Sequence, residues 1–212
     1  MRMPSEYARE KLRGQTTIVT GASRGLGRAY ATALADADAN VVCVARTAAD
    51  LQTTVDALVA SGRAAIACAA DVSTATGVQA IIKRIEEAYG PPGLLVNNAG
   101  LLGPLGPLYN NDPNEWWRCL KVNLAGPMRM MQAVLQACYD GTADRIINVV
   151  SGSGASATPH MSAYVTGKAA LIRLTEIITL EVATSGVRVF AIDPGTVRTN
   201  MVEEAISSPS GK

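Results

Sequence analysis

The feature that most constrains this chain is a sustained alternation of short apolar runs with longer amphipathic stretches. The runs are TTIVT at 16–20, VVCVA at 41–45, AAIAC at 64–68, LLV at 94–96, RIINVV at 145–150 and VRVFAI at 187–192. Between them, helical spacing of apolar residues predicts helices over about 24–38, 48–60, 74–89, 113–139 and 162–185. Near-continuous Val, Ile and Ala runs suit parallel strands covered on both faces. Six strands alternating with helices predict an α/β fold, a doubly wound parallel sheet with right-handed crossovers. Ligands of such sheets bind beyond the carboxyl ends of the strands, so the residues just after each run are the ones to inspect.

No repeat or linker interrupts the pattern, which predicts one domain over 1–212 with a frayed tail over about 203–212. Only 4 % of residues are aromatic, so the core must be built from Ala, Val, Leu and Ile. A net charge of +1 without a basic block argues against nucleic acid as a partner. No segment has the length of a membrane span, and residues 1–13 lack a signal-type apolar stretch. Cys43, Cys68, Cys119 and Cys138 stand far apart, and His160 is the single histidine, so no metal site is expected. Reduced thiols and a cytoplasmic setting follow.

The first strand runs into Thr20-Gly21-Ala22-Ser23-Arg24-Gly25-Leu26-Gly27. Gly21 suits a tight turn, Gly25 a close main-chain approach to a pyrophosphate, and Gly27 close packing of helix on sheet. The helix that follows offers unpaired amides to phosphate. Farther on, Tyr164 and Lys168 stand four apart, on one face of a helix.

The glycine spacing resembles that of the short-chain dehydrogenase/reductase family, and other segments match it in family order, from about 16 to 201. The resemblance implies a Rossmann-type sheet and a nicotinamide cofactor. Asn98, Ala99 and Gly100, in Asn97-Asn98-Ala99-Gly100, match the family's segment beside the cofactor. Asp71 and Val72 match the pair set against the adenine. Pro194, Gly195, Val197 and Thr199 match the segment after the sixth strand, with Thr199 at the nicotinamide carboxamide. Ser151, thirteen residues before Tyr164, and Asn123 on the long helix complete the family's catalytic set with Tyr164 and Lys168. A carboxylate at the end of the second strand would accept from a ribose 2′-hydroxyl; Ala45 stands there, followed by Arg46. The guanidinium fork suits a 2′-phosphate, and Arg24 adds charge, so NADP(H) is expected over NAD(H).

The expected chemistry is hydride transfer between cofactor and a carbonyl or secondary alcohol. Tyr164 serves as general acid/base, Ser151 positions the oxygen, and Asn123 holds a water linked to Lys168. Lowering a phenol from about 10 to about 7 requires roughly 4 kcal/mol. Lys168 and the oxidised nicotinamide are expected to supply it together. The resemblance also implies a homodimer or homotetramer. Relatives continue past Thr199 into a substrate cap and a seventh strand, which are expected to be absent here. A cofactor-binding sensor or scaffold subunit is the rival reading, and a methyltransferase a third. Neither explains Asn123, Ser151, Tyr164 and Lys168 together.

Overall fold

The computed structural model describes residues 4–137 and 145–207. After a short helix α1 (Glu6–Leu12), the chain runs β1 (Thr16–Thr20), α2 (Gly25–Asp36), β2 (Asn40–Ala45) and α3 (Ala48–Ala60). It continues through β3 (Ala65–Ala69), α4 (Ala75–Tyr89), β4 (Leu94–Asn97) and α5 (Pro113–Leu120). A π turn (Lys121–Ala125) joins α5 to α6 (Gly126–Ala137), and β5 (Arg145–Val149), α7 (Ser162–Glu181), β6 (Arg188–Ile192) and α8 (Asn200–Ser207) follow.

All pairings are parallel, in the order β3-β2-β1-β4-β5-β6. The order reverses between β1 and β4, and that switch point opens a crevice at the strands' carboxyl ends. Side chains alternate across each strand. Ile18, Val42, Leu95 and Ile146 pack with Ile81, Ile85, Met130 and Leu171, from α4, α6 and α7. Their neighbours Val19, Val41, Cys43 and Val96 pack with Ala31, Leu51 and Val55, from α2 and α3. Each fully buried Val, Leu or Ile contributes about 1.5–3 kcal/mol. As composition required, this core is aliphatic; the chain's one phenylalanine, Phe190, is 44 % exposed.

A buried polar chain crosses this apolar interior. Asn97 Nδ2 donates to Asn148 Oδ1 at 2.9 Å, Asn148 Nδ2 to Thr175 Oγ1 at 2.8 Å, and Thr175 Oγ1 to the Leu171 carbonyl at 2.7 Å. It ties β4, β5 and α7 into one unit at the height of the crevice.

Several expectations need correction. Residues 6–12 form a helix that no apolar period announces; Ser5 caps it, its Oγ accepting from Ala8 N at 3.2 Å. The helix expected over 113–139 is broken by the π turn, where Gly126 N–H donates to the Lys121 carbonyl five residues back. Its last residues, 138 and 139, lie outside the described residues, as does Cys138. The helix expected to 185 ends at Glu181. The tail expected to fray from 203 is helical to Ser207; 208–212 lie outside the described residues. Among the described residues, no helix is long and apolar enough to cross a membrane.

Candidate active site

The crevice is a cleft of about 600 Å³ running across the ends of β2, β1, β4, β5 and β6. Its floor is the glycine turn. Gly21 sits at φ +69°, and a Cβ there would lie 2.9 Å from the Ala99 Cα. A Cβ on Gly27 would run into the Gly21 carbonyl. Only hydrogen at these positions lets α2 start this close to β1. The residue capping α2 is Arg24, in extended conformation and without a side-chain capping bond. The first-turn amides of α2 therefore keep their donors for a ligand in the cleft. Asn98 braces the turn across the switch point: its Nδ2 donates to the Thr20 carbonyl at 2.9 Å, and its N–H to Thr20 Oγ1 at 2.9 Å.

Of the residues the sequence singled out, Gly21, Ser23, Arg24, Gly25, Leu26 and Gly27 line this floor. Arg46 lines the end beyond β2, with Ala45, Thr47 and Asp50. Asp50, which sequence reading passed over, puts a carboxylate on the same rim as Arg46. Val72, Asn98, Ala99 and Gly100 line the middle, and Pro194, Gly195, Val197 and Thr199 the far wall. Asp71 is not among the lining residues. Its Oδ1 accepts from Ser73 N at 2.8 Å, in the turn leading to α4.

At the other end, Ser151, Tyr164 and Lys168 come together. Ser151 leaves the end of β5 and caps a short 3-10 turn (Gly152–Ala155). Tyr164 and Lys168 share one face of α7, with Lys168 Nζ 5.8 Å from the centre of the Tyr164 ring. Lys168 is 4 % exposed, and its Nζ donates to the Val149 carbonyl at 2.7 Å. Burial pushes its ammonium down to about 8. Burial also pushes the Tyr164 phenol up from its ordinary value. The Ser151 hydroxyl, donating to the phenol oxygen, pulls it back, while Cys119 and Asp193 add to the rise. In the protein alone, the Tyr164 phenol is thus held above its ordinary value, because desolvation outweighs the pull of the Ser151 hydroxyl.

Asn123 is fully buried in the π turn, behind the cleft wall. Its Oδ1 accepts from Leu101 N at 2.8 Å and its Nδ2 donates to the Leu101 carbonyl at 2.7 Å and to Cys119 Sγ at 3.2 Å. This amide clamps the loop after β4. His160 is not among the cleft residues; it takes φ +66°, and its carbonyl accepts from Gly106 N at 2.9 Å. Asp193 does line the reaction end, and no motif in the sequence drew attention to it. Among the described residues no group of His, Cys, Asp and Glu could hold a metal ion.

An elongated cleft with free helix amides and glycine contacts at one end, and a phenol, hydroxyl and buried ammonium at the other, defines a dinucleotide-linked oxidoreductase site. The comparisons agree. The short chain dehydrogenase family model matches residues 15–209, and the chain belongs to the short-chain dehydrogenase/reductase family. A short chain dehydrogenase of Pseudocercospora fijiensis is 36 % identical over 94 % of this chain and 66 % of its own length. A 3-oxoacyl-acyl-carrier-protein reductase of Vibrio cholerae is 33 % identical over 91 % of this chain and 77 % of its own. This chain thus spans about two thirds to three quarters of the length of these two relatives. A metagenomic short-chain oxidoreductase crystallised with NADP superposes with a TM-score of 0.83 at 32 % identity, covering 95 % of this chain and 94 % of that one.

Proposed function

We propose that the protein interconverts a carbonyl compound and its secondary alcohol with NADP(H), using Tyr164 as general acid/base. The observation that carries this reading is the meeting of Ser151, Tyr164 and Lys168 at one end of a cleft floored by the glycine turn. A bound nicotinamide dinucleotide supplies or accepts the hydride; the chain's own residues do the rest. In reduction, the Ser151 hydroxyl donates to the carbonyl oxygen and fixes its place, and Tyr164 gives that oxygen a proton. Burial keeps the phenol protonated before reaction, the form an acid needs. In alcohol oxidation Tyr164 must take a proton, and the positive charge of Lys168 favours the phenolate. Lys168, held near 8, is poised to trade its own proton close to neutrality. The π turn loosens the regular carbonyl ladder around Asn123, and we place there the water that links Lys168 to solvent.

The preference for NADP(H) over NAD(H) rests on Arg46 and Arg24 at the rim, with Ala45 where a carboxylate would select NAD(H). A homodimer or homotetramer built through α5, α6 and α7 accounts for the exposed Trp117 and Leu180, at 59 % and 78 %. The test is turnover of a panel of ketones and aldehydes with NADPH, followed by loss of the reduced cofactor's absorbance. In Tyr164→Phe, kcat should fall about 10²–10⁴-fold, with cofactor binding retained. A Tyr164→Phe enzyme that keeps most of its turnover would overturn the mechanism.

A further inference from the structure

We propose that Asp193 biases the cleft toward the oxidised, cationic form of the nicotinamide over the reduced, neutral one. This rests on the dinucleotide reading above and adds a residue that no motif assigns. β5 and β6 run in parallel with Val149 opposite Ile192, so Asp193 stands opposite Val150, one residue before Ser151. Its Oδ2 hangs over the turn after Ser151: a Cβ built on Gly152 would lie 2.9 Å from it. Its Oδ1 accepts from Gly195 N at 3.0 Å, and Oδ2 has no hydrogen bond among the described residues. The other charges at this end are occupied. Lys168 Nζ donates to the Val149 carbonyl, Arg118 pairs with Glu115 at 3.0 Å, and Arg198 pairs with Glu203 at 3.1 Å. The Cys119 thiol, pushed up to about 11 by burial, is neutral. Asp193 is therefore the carboxylate at this end without an ion-pair partner among the described residues, and its effect on the Tyr164 phenol has the sign of a nearby negative charge.

A ring that exchanges hydride with a carbon whose oxygen meets Ser151 and Tyr164 lies at the ends of β5 and β6, beside this carboxylate. That ring is a cation in one redox state and neutral in the other. A fixed carboxylate stabilises the cation alone, and it offsets the opposing charge of Lys168.

The experiment measures Kd for NADP⁺ and for NADPH, by titration, in the wild type, Asp193→Asn and Asp193→Ala. Asn keeps an acceptor for Gly195 N–H and removes only the charge. In Asp193→Asn, NADP⁺ should bind about three- to tenfold more weakly, a Coulomb effect over several ångströms at partial exposure, while NADPH is nearly unchanged. The difference should shrink at high salt, because Asp193 is exposed. An unchanged ratio of the two Kd values would overturn the inference. Equal weakening of both forms in both variants would overturn it too, reducing Asp193 to a prop for Gly195. A wild type that binds neither form would bring down the dinucleotide reading itself.

Discussion

Lys168 concentrates the conflict that a proton-handling residue must live with. It is buried to 4 % exposure, donates to the Val149 carbonyl, and its ammonium is held from the ordinary 10.5 down to about 8. In the unfolded chain the same group keeps its ordinary value, so between about 8 and 10.5 the unfolded state binds more protons than the native one. Stability therefore rises with pH through that window, and the burial cost is fully present below it. Lys168→Met removes this titration. The unfolding free energy of the wild type, measured in urea, should gain on that of Lys168→Met between about pH 7 and about pH 10. A constant gap would show that Lys168 titrates normally in the fold. The sequence made the Tyr164–Lys168 pair visible through its spacing and Ser151 through its place after a strand. That burial opposes the shift at Tyr164 follows from the chemistry of a phenol, but how far it prevails before a cofactor binds is a property of the assembled cleft. Asp193 and Asp50 escaped for a related reason: each matters through what it faces, and the apolar pattern that marks the neighbouring strand or helix says nothing of that.

At the scale of elements, the strands were legible because a strand covered on both faces is apolar along nearly its whole length, as VVCVA at 41–45 is. The helix α1 was not legible: it buries no residue, and its start depends on Ser5 as a cap. The π turn was equally silent, since a register change within a helix leaves no mark in composition. Yet it is what turns Asn123 toward Leu101. The Asn97–Asn148–Thr175 chain is the element-scale device that holds β4, β5 and α7 in place, and hence Tyr164 against Ser151. Asn148→Leu leaves the buried Asn97 Nδ2 without its acceptor and should cost about 1–3 kcal/mol. Adding Asn97→Leu removes the orphaned donor, so the double variant should be less destabilised than the sum of the two singles. Chemical denaturation of the four proteins checks this; strict additivity would mean the two amides are not coupled.

For the whole molecule, the cleft spans the switch point and gathers residues from both halves of the sheet, from Arg46 beyond β2 to Thr199 beyond β6. A ligand lying along it binds only the folded chain. At about 100 times Kd it should add about 2.7 kcal/mol to stability. For a chain of this size that is a rise in Tm of roughly 5–10 °C. NADPH should raise Tm more than NADH at equal concentration, and Arg46→Ala should narrow that difference. Equal shifts from both cofactors in the wild type would sink the proposed preference. The three described thiols give the molecule a further property. Cys43 is sealed under α2 and α3, Cys68 belongs to the opposite face of the sheet, and Cys119 lies behind the cleft wall; all three are buried and unpaired. A thiol reagent therefore reaches each of them only when its own region breathes. With Cys138 replaced, labelling rates at the three sites are three separate clocks for local opening, and occupancy of the cleft should slow the one at Cys119 first.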